Sequence, residues 1–146
     1  MAPSILEPQN VVADGTATTR DEAIREAGAL LVAAGAVKQE YVDSMFERES
    51  SVSTYMGNFL AIPHGTNDAK ESIVRSALSL VRYTEPIDWN GQPVKFEVGI
   101  AGLNNEHLEI LSKIAVVFSD EDEVQKLLDA GSADEIFALL EEVNAE

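Results

Sequence analysis

The 146-residue chain contains no cysteine. Disulfides, thiolate zinc sites, iron–sulfur clusters and thiol catalysis are thereby excluded, and the absence fits a cytoplasmic protein. Long apolar runs are missing too. None approaches the roughly 20 residues that a membrane helix requires. The opening segment, MAPSILEPQN, has neither the basic region nor the apolar stretch of a signal peptide, so no direct membrane insertion is expected. Basic residues are scarce: 10 Lys and Arg stand against 26 Asp and Glu, for a net charge of −16. Such a surface repels nucleic acid and anionic lipid, which removes both as expected ligands. The acidity serves either solubility or the steering of a basic protein partner, and net charge does not choose between them. No P-loop, G-x-G-x-x-G fingerprint or G-x-S-x-G elbow occurs, which argues against a nucleotide enzyme or a serine hydrolase. Histidine is limited to His64 and His107. Glu106 and Asp68 offer oxygen ligands beside them, but no H-x-x-x-H spacing exists, and no metal site is expected.

What is present suits one domain over residues 1–146. Asn10–Ala13 reads as a short strand among the breakers Pro3, Pro8 and Gly15. Thr19-Arg-Asp-Glu22 is a capping box, and Ile24, Ala27, Leu31 and Ala34 recur at helical spacing up to Gly35. A second helix is expected from about Lys38 to Arg48, with Tyr41, Val42, Met45 and Phe46 as its apolar face. Ser50–Asn58 reads as a polar loop, Phe59–Ile62 as a strand ended by Pro63, and 67–74 as a connection or short helical turn. Ser76–Arg82 is a further strand. Tyr83–Pro93, with Pro86, Pro93 and an Asn90-Gly91 dipeptide, reads as a loop anchored by Trp89. In Val94–Ala101 the residues Val94, Phe96, Val98 and Ile100 face one way, and Lys95 and Glu97 the other. Helices follow over about Asn105–Phe118, from the Asp120–Glu123 cap to Asp129, and from the Ser132–Glu135 box through Ile136, Phe137, Leu140 and Val143. Interleaved strands and helices imply an α/β domain, a mixed β-sheet with helices over its faces.

Both histidines fall where such a domain keeps its chemistry. His64 follows the end of one strand, and His107 lies in the first turn of a helix after another. Open α/β sheets bind ligands beyond strand ends, so the two can converge if those strands are neighbours. Pro63 fixes its own φ and holds Ile62 extended. Gly65 leaves room for a ligand near the backbone, and Thr66 adds a hydroxyl. Neutral imidazole is a competent nucleophile near pH 7, its ordinary pKa being about 6.5. Its phosphoramidate is a reactive donor, which a reversible phosphoryl relay requires. Asn104 or Asn105 can cap the helix of His107, whose positive dipole end favours an anion. Arg48, between Glu47 and Glu49, offers planar charged donors suited to phosphoryl oxygens. On composition it is one of several arginines, beside Arg20, Arg25, Arg75 and Arg82, and a solvated helix end describes it equally well.

Gly57-Asn-Phe-Leu-Ala-Ile-Pro-His-Gly-Thr66 resembles the active-site segment of the enzyme IIA domains, mannitol/fructose type, of the bacterial phosphoenolpyruvate-dependent sugar phosphotransferase system. Gly99-Ile-Ala-Gly-Leu-Asn-Asn-Glu-His-Leu108 resembles that family's second-histidine segment. The resemblance runs from about Ile5 to Val143. It implies the family fold, a mixed sheet between helices on both faces. It implies that His64 accepts a phosphoryl group on Nε2 from the phosphocarrier HPr and passes it to a IIB domain, for uptake and phosphorylation of mannitol or a related sugar. It also implies that His107 assists by hydrogen bonding and that Arg48, sixteen residues before His64, belongs to the site. No metal and no organic cofactor are implied. The family's partners dock on a shallow apolar surface, to which Met56, Phe59 or Leu103 could contribute. One departure is Asn58, where the mannitol-type segment carries a glutamate that could influence imidazole charge or orient Arg48. The Asn-Asn-Glu-His run favours mannitol over the alternative, a nitrogen-type regulatory protein of the same fold that signals by phosphorylation-dependent binding.

Overall fold

A computed structural model describes residues 6–51, 53–66, 71–102 and 106–140, with the side chains of Glu106, His107, Leu108 and Ile110 outside the description. Asp68, Leu103, Asn104, Asn105 and Val143, named above, also lie outside the described residues. The described chain runs β1 (Leu6–Val12), α1 (Arg20–Ala33), α2 (Glu40–Ser51), β2 (Tyr55–Gly57), β3 (Leu60–Ala61), β4 (Ala77–Trp89), β5 (Gln92–Ala101), α3 (Glu106–Phe118), α4 (Glu121–Asp129) and α5 (Ala133–Leu139). The strands form one mixed sheet in the order β1-β4-β5-β3-β2. Pairing is parallel for β1 with β4 and for β3 with β5, and antiparallel for β4 with β5 and for β2 with β3.

Helices cover both faces, as the sequence pattern implied. On one face Ile24, Leu31, Tyr41 and Met45 of α1 and α2 bury Val81, Tyr83, Ile87 and Trp89. On the other, Ile114, Phe118, Leu127 and Ile136 of α3, α4 and α5 bury Leu78, Leu80, Phe96 and Val98. α1 comes close to the sheet because small residues meet there. A Cβ on Gly99 would lie 2.6 Å from Ser79 Oγ and 3.0 Å from the Cβ of Ala27. The helix starts follow their caps. Thr19 Oγ1 accepts from Glu22 N–H at 3.2 Å, while the Glu22 carboxylate reaches back to Thr18 N–H and hydroxyl (3.1 and 2.9 Å), one residue beyond the usual box.

Three expectations are corrected. Ser50–Asn58 is not all loop. Tyr55–Gly57 forms β2, joined to β3 by a two-residue turn in which Asn58 and Phe59 have φ of +49° and +68°. Positive φ at both central residues is what a tight hairpin turn requires, and Phe59, counted by its propensity as strand, is consumed by the turn. The second correction is at Tyr83–Pro93, where β4 continues to Trp89 and turns through Asn90 (φ +56°) and Gly91 (φ +93°) into β5. Pro86 is accommodated because pairing with β5 breaks between Arg82 and Ile87. The third is the alternation of β5. Lys95 N–H and Phe96 N–H both donate to Phe59 O at 2.9 Å. Two residues therefore oppose one, which is a β-bulge. It turns Val94 onto the α1/α2 face while Phe96, Val98 and Ile100 keep the other.

Glu97, read as the polar side of β5, is fully buried. The Tyr83 hydroxyl donates to Glu26 Oε1 at 2.7 Å and lies 3.2 Å from Glu97 Oε1. Burial, with Glu26 and Glu49 adding their charges, pushes the Glu97 carboxyl well above the ordinary glutamate value of 4.5, against the opposing bond with Tyr83. The raised value favours the neutral Glu97 carboxyl in the fold. The folded protein then holds a proton that the unfolded chain releases above pH 4.5. Glu97 therefore contributes stability fully present below that pH and lost progressively as pH rises. Glu97→Gln keeps the shape without the proton. Its unfolding midpoint is expected to fall less than wild type between pH 5 and 8 in thermal melts, and parallel curves would refute the assignment.

Candidate active site

The parallel ladder between β3 and β5 outlasts β3 itself. Ile100 N–H donates to Pro63 O at 3.1 Å, and His64 forms an isolated bridge with Ile100. Pro63, which has no N–H to give, contributes its carbonyl to the ladder. His64 thus emerges half-buried at the end of the sheet, with its backbone seated on a central strand.

The imidazole Nδ1 lies 2.8 Å from Ile62 O. A carbonyl only accepts, so Nδ1 carries the proton in this bond. The lone pair of the neutral ring is then on Nε2. The carbonyl that orients the ring belongs to the residue that Pro63 holds extended.

Gly65 is required for a reason other than room for a ligand. A Cβ there would lie 2.4 Å from both Tyr41 Cε1 and Ser44 Oγ. The turn is pressed against α2, and glycine permits the contact. Gly65 N–H donates to the Tyr41 hydroxyl at 2.8 Å, and that hydroxyl donates to Ile100 O at 2.7 Å. Burial raises the Tyr41 pKa, against the Gly65 N–H bond, which favours the anion. Tyr41 therefore remains a protonated donor at neutral pH.

Arg48 lies half-buried in the last turn of α2. At three and seven residues after Tyr41, Ser44 and Arg48 share a helix face with it. This is the face that receives Gly65. Glu49, read as part of a solvated helix end, is instead 3% exposed. Its carboxyl accepts from Thr54 N–H (2.8 Å), Thr54 Oγ1 (2.6 Å) and Trp89 Nε1 (3.0 Å).

His107 is the second residue of α3, and its side chain is outside the description. Four residues separate β5 from α3, so Glu106 lies within about 18 Å of Ala101. The backbone of this turn therefore starts from the sheet end where His64 sits. Asn58 does not join it. It precedes β3, whereas His64 follows it, and Leu60 to His64 alone covers about 13 Å at ~3.3 Å per extended residue. Its Nδ2 donates to Phe118 O at 2.7 Å. This bond ties the β2–β3 turn to the end of α3. Met56 is exposed on the edge strand β2, and Phe59 lies beneath Lys95, whose Nζ is 5.7 Å from the ring centroid. Sequence reading missed Tyr41 as part of the site because it fits the apolar helix stripe. The available signal was a tyrosine, three residues before a serine and seven before Arg48, on that stripe.

A mixed α/β sheet with a half-buried histidine at its end, its Nδ1 on a backbone carbonyl, is a framework that suits a phosphotransferase component. The chain belongs to the EIIA 2 family of the phosphoenolpyruvate-dependent sugar phosphotransferase system, whose family model matches residues 4–143. It is 50% identical over 144 residues to a mannitol-specific phosphotransferase enzyme IIA component of Halalkalibacterium halodurans, covering 99% of each chain. It is 48% identical over 145 residues to the protein of that name from Geobacillus stearothermophilus, covering 99% of this chain and 100% of the relative. Among solved structures, the complex of mannitol enzyme IIA with phosphorylated enzyme IIB from Escherichia coli superposes with a TM-score of 0.86 at 32% identity, covering 93% of this chain and 98% of that one. Among the described residues, no helix is long and apolar enough to cross a membrane.

Proposed function

We propose that this chain is the cytoplasmic phosphoryl carrier of a mannitol phosphotransferase system, taking phosphate from HPr on His64 and giving it to a IIB domain. The observation that carries the reading is the bond between His64 Nδ1 and Ile62 O at 2.8 Å. In the neutral imidazole it places the lone pair on Nε2, from which phosphorus is attacked without a separate general base. In the loading step the Nε2–P bond forms as the bond from phosphorus to the donor breaks. The donor's leaving nitrogen or oxygen takes that electron pair. In the unloading step a nucleophile of IIB attacks phosphorus, and the electron pair of the N–P bond returns to Nε2. Arg48 and His107 are assigned to the equatorial oxygens, where charge concentrates in both transition states. Neither step calls for a metal ion or organic cofactor.

The mannitol names of the relatives and the IIA–IIB complex of the structural neighbour support the sugar and the acceptor. Membership of the phosphotransferase-system family supports HPr as donor and a cytoplasmic address. Incubation with phosphoenolpyruvate, enzyme I and HPr is expected to add one acid-labile phosphoryl group, located on His64 by mass spectrometry. A purified mannitol IIB domain is then expected to remove it. Retention of the label in the presence of IIB would favour the regulatory alternative, and absence of labelling would refute the carrier reading.

A further inference from the structure

Tyr41 is buried among apolar residues of the α1/α2 layer, yet its hydroxyl is fully engaged. It accepts from Gly65 N–H at 2.8 Å and donates to Ile100 O at 2.7 Å. These two groups flank His64. Gly65 follows it in the chain, and Ile100 faces it across the parallel ladder. A single oxygen therefore ties the outgoing arm of the turn to the strand on which the turn rests. The incoming arm is tied separately, through Pro63 O and Ile100 N–H. Ser44 supports the arrangement from below, its Oγ donating to Tyr41 O at 2.6 Å. The Tyr41 ring and Ser44 Oγ fill the volume that a side chain on residue 65 would need.

Resting on the reading of His64 as phosphoryl acceptor, we propose that Tyr41 is a positioning residue for the transfer: its hydroxyl clamps Gly65 to Ile100, holding the imidazole with Nδ1 on Ile62 O and the lone pair on Nε2. The physical argument is one of freedom. His64 lies between two peptide arms, and the Tyr41 oxygen is the side-chain tie on the outgoing one. Without it the half-buried Gly65 N–H loses that acceptor, and the outgoing arm gains freedom relative to Ile100. The Nδ1–Ile62 contact is made by the side chain of the same turn, so that freedom loosens it. The competing tautomer, with the proton on Nε2, is then populated, and that form cannot attack through Nε2. Misplacement of a reacting atom by about 1 Å costs up to about a hundredfold in rate.

The test is Tyr41→Phe, which keeps the ring against Gly65 and removes only the oxygen. In the wild type, ¹⁵N spectra of His64, recorded without any phosphoryl donor, are expected to show the Nδ1–H tautomer. In the variant they are expected to show a mixture, with faster exchange of the Gly65 amide. Phosphoryl acceptance from phospho-HPr is expected to slow about tenfold or more, with far-ultraviolet circular dichroism unchanged. Wild-type tautomer and wild-type rate in Tyr41→Phe would overturn the clamp. Should that variant not fold, Gly65→Ala presses on the same contact from the other side and is expected to give the same tautomer change. An unaltered His64 spectrum there would equally overturn the proposal. A wild-type protein that takes no label would sink the His64 reading itself. A labelled wild type with an indifferent Tyr41→Phe would sink only the clamp.

Discussion

His64→Ala is expected to eliminate phosphoryl acceptance altogether. In the proposed relay Nε2 of the imidazole is the attacking atom, so its removal takes away the covalent step and not merely part of its stabilisation. The folded state should survive. His64 is half-buried, and a hydrogen bond such as that of its ring to Ile62 O is worth about 1 kcal/mol. The ladder contact between Pro63 O and Ile100 N–H is made by backbone and persists. The measurement is mass spectrometry after incubation with phosphoenolpyruvate, enzyme I and HPr, beside a melt of the same preparation. A folded His64→Ala protein that still takes an acid-labile phosphoryl group would place the nucleophile elsewhere.

The largest effect on stability is expected from Glu49→Ala. The Glu49 carboxyl is the acceptor for three donors: Thr54 N–H, Thr54 hydroxyl and Trp89 Nε1. Trp89 and Thr54 are themselves buried, so water does not readily replace the lost acceptor. A stranded buried donor costs about 1–3 kcal/mol, and partial relaxation leaves a total of about 3–5 kcal/mol. For a chain of this size that is a fall in melting midpoint of about 8–15 °C. Glu47→Ala, at an exposed neighbouring position, should stay within about 0.5 kcal/mol. Urea unfolding of the two variants makes the comparison. Equal midpoints would mean that the three bonds contribute nothing net. Glu49 also joins the end of α2 to β4, so its loss is expected to loosen the turn that carries Arg48.

The sequence made the layered α/β architecture legible because the informative signals are local. Thr19, Asp120 and Ser132 cap helices through bonds within three residues, and the Asn90-Gly91 dipeptide marks its turn through its own backbone preference. What stayed hidden depends on partners distant in the chain. Glu49 and Glu97 look like solvent-facing charges until Trp89, Thr54 and Tyr83 arrive from other elements. Phe59 looks like strand until the hairpin needs a positive φ there. At the site, the Ile-Pro-His-Gly segment pointed to His64 directly. The clamp by Tyr41 was invisible, since its partners stand 24 and 59 residues away.

The bulge at Lys95–Phe96 separates two mechanical regimes along β5. Toward Ala101, the strand is covered on both faces and its register with the His64 turn is pinned. Toward Gln92, the ribbon of β4 and β5 rests on the α1/α2 layer alone, its other face wet. Phe59 O, holding two amides at once, acts as a stop against longitudinal creep. A change in length at the Asn90-Gly91 tip is thereby expected to leave the contact between Pro63 O and Ile100 N–H in register.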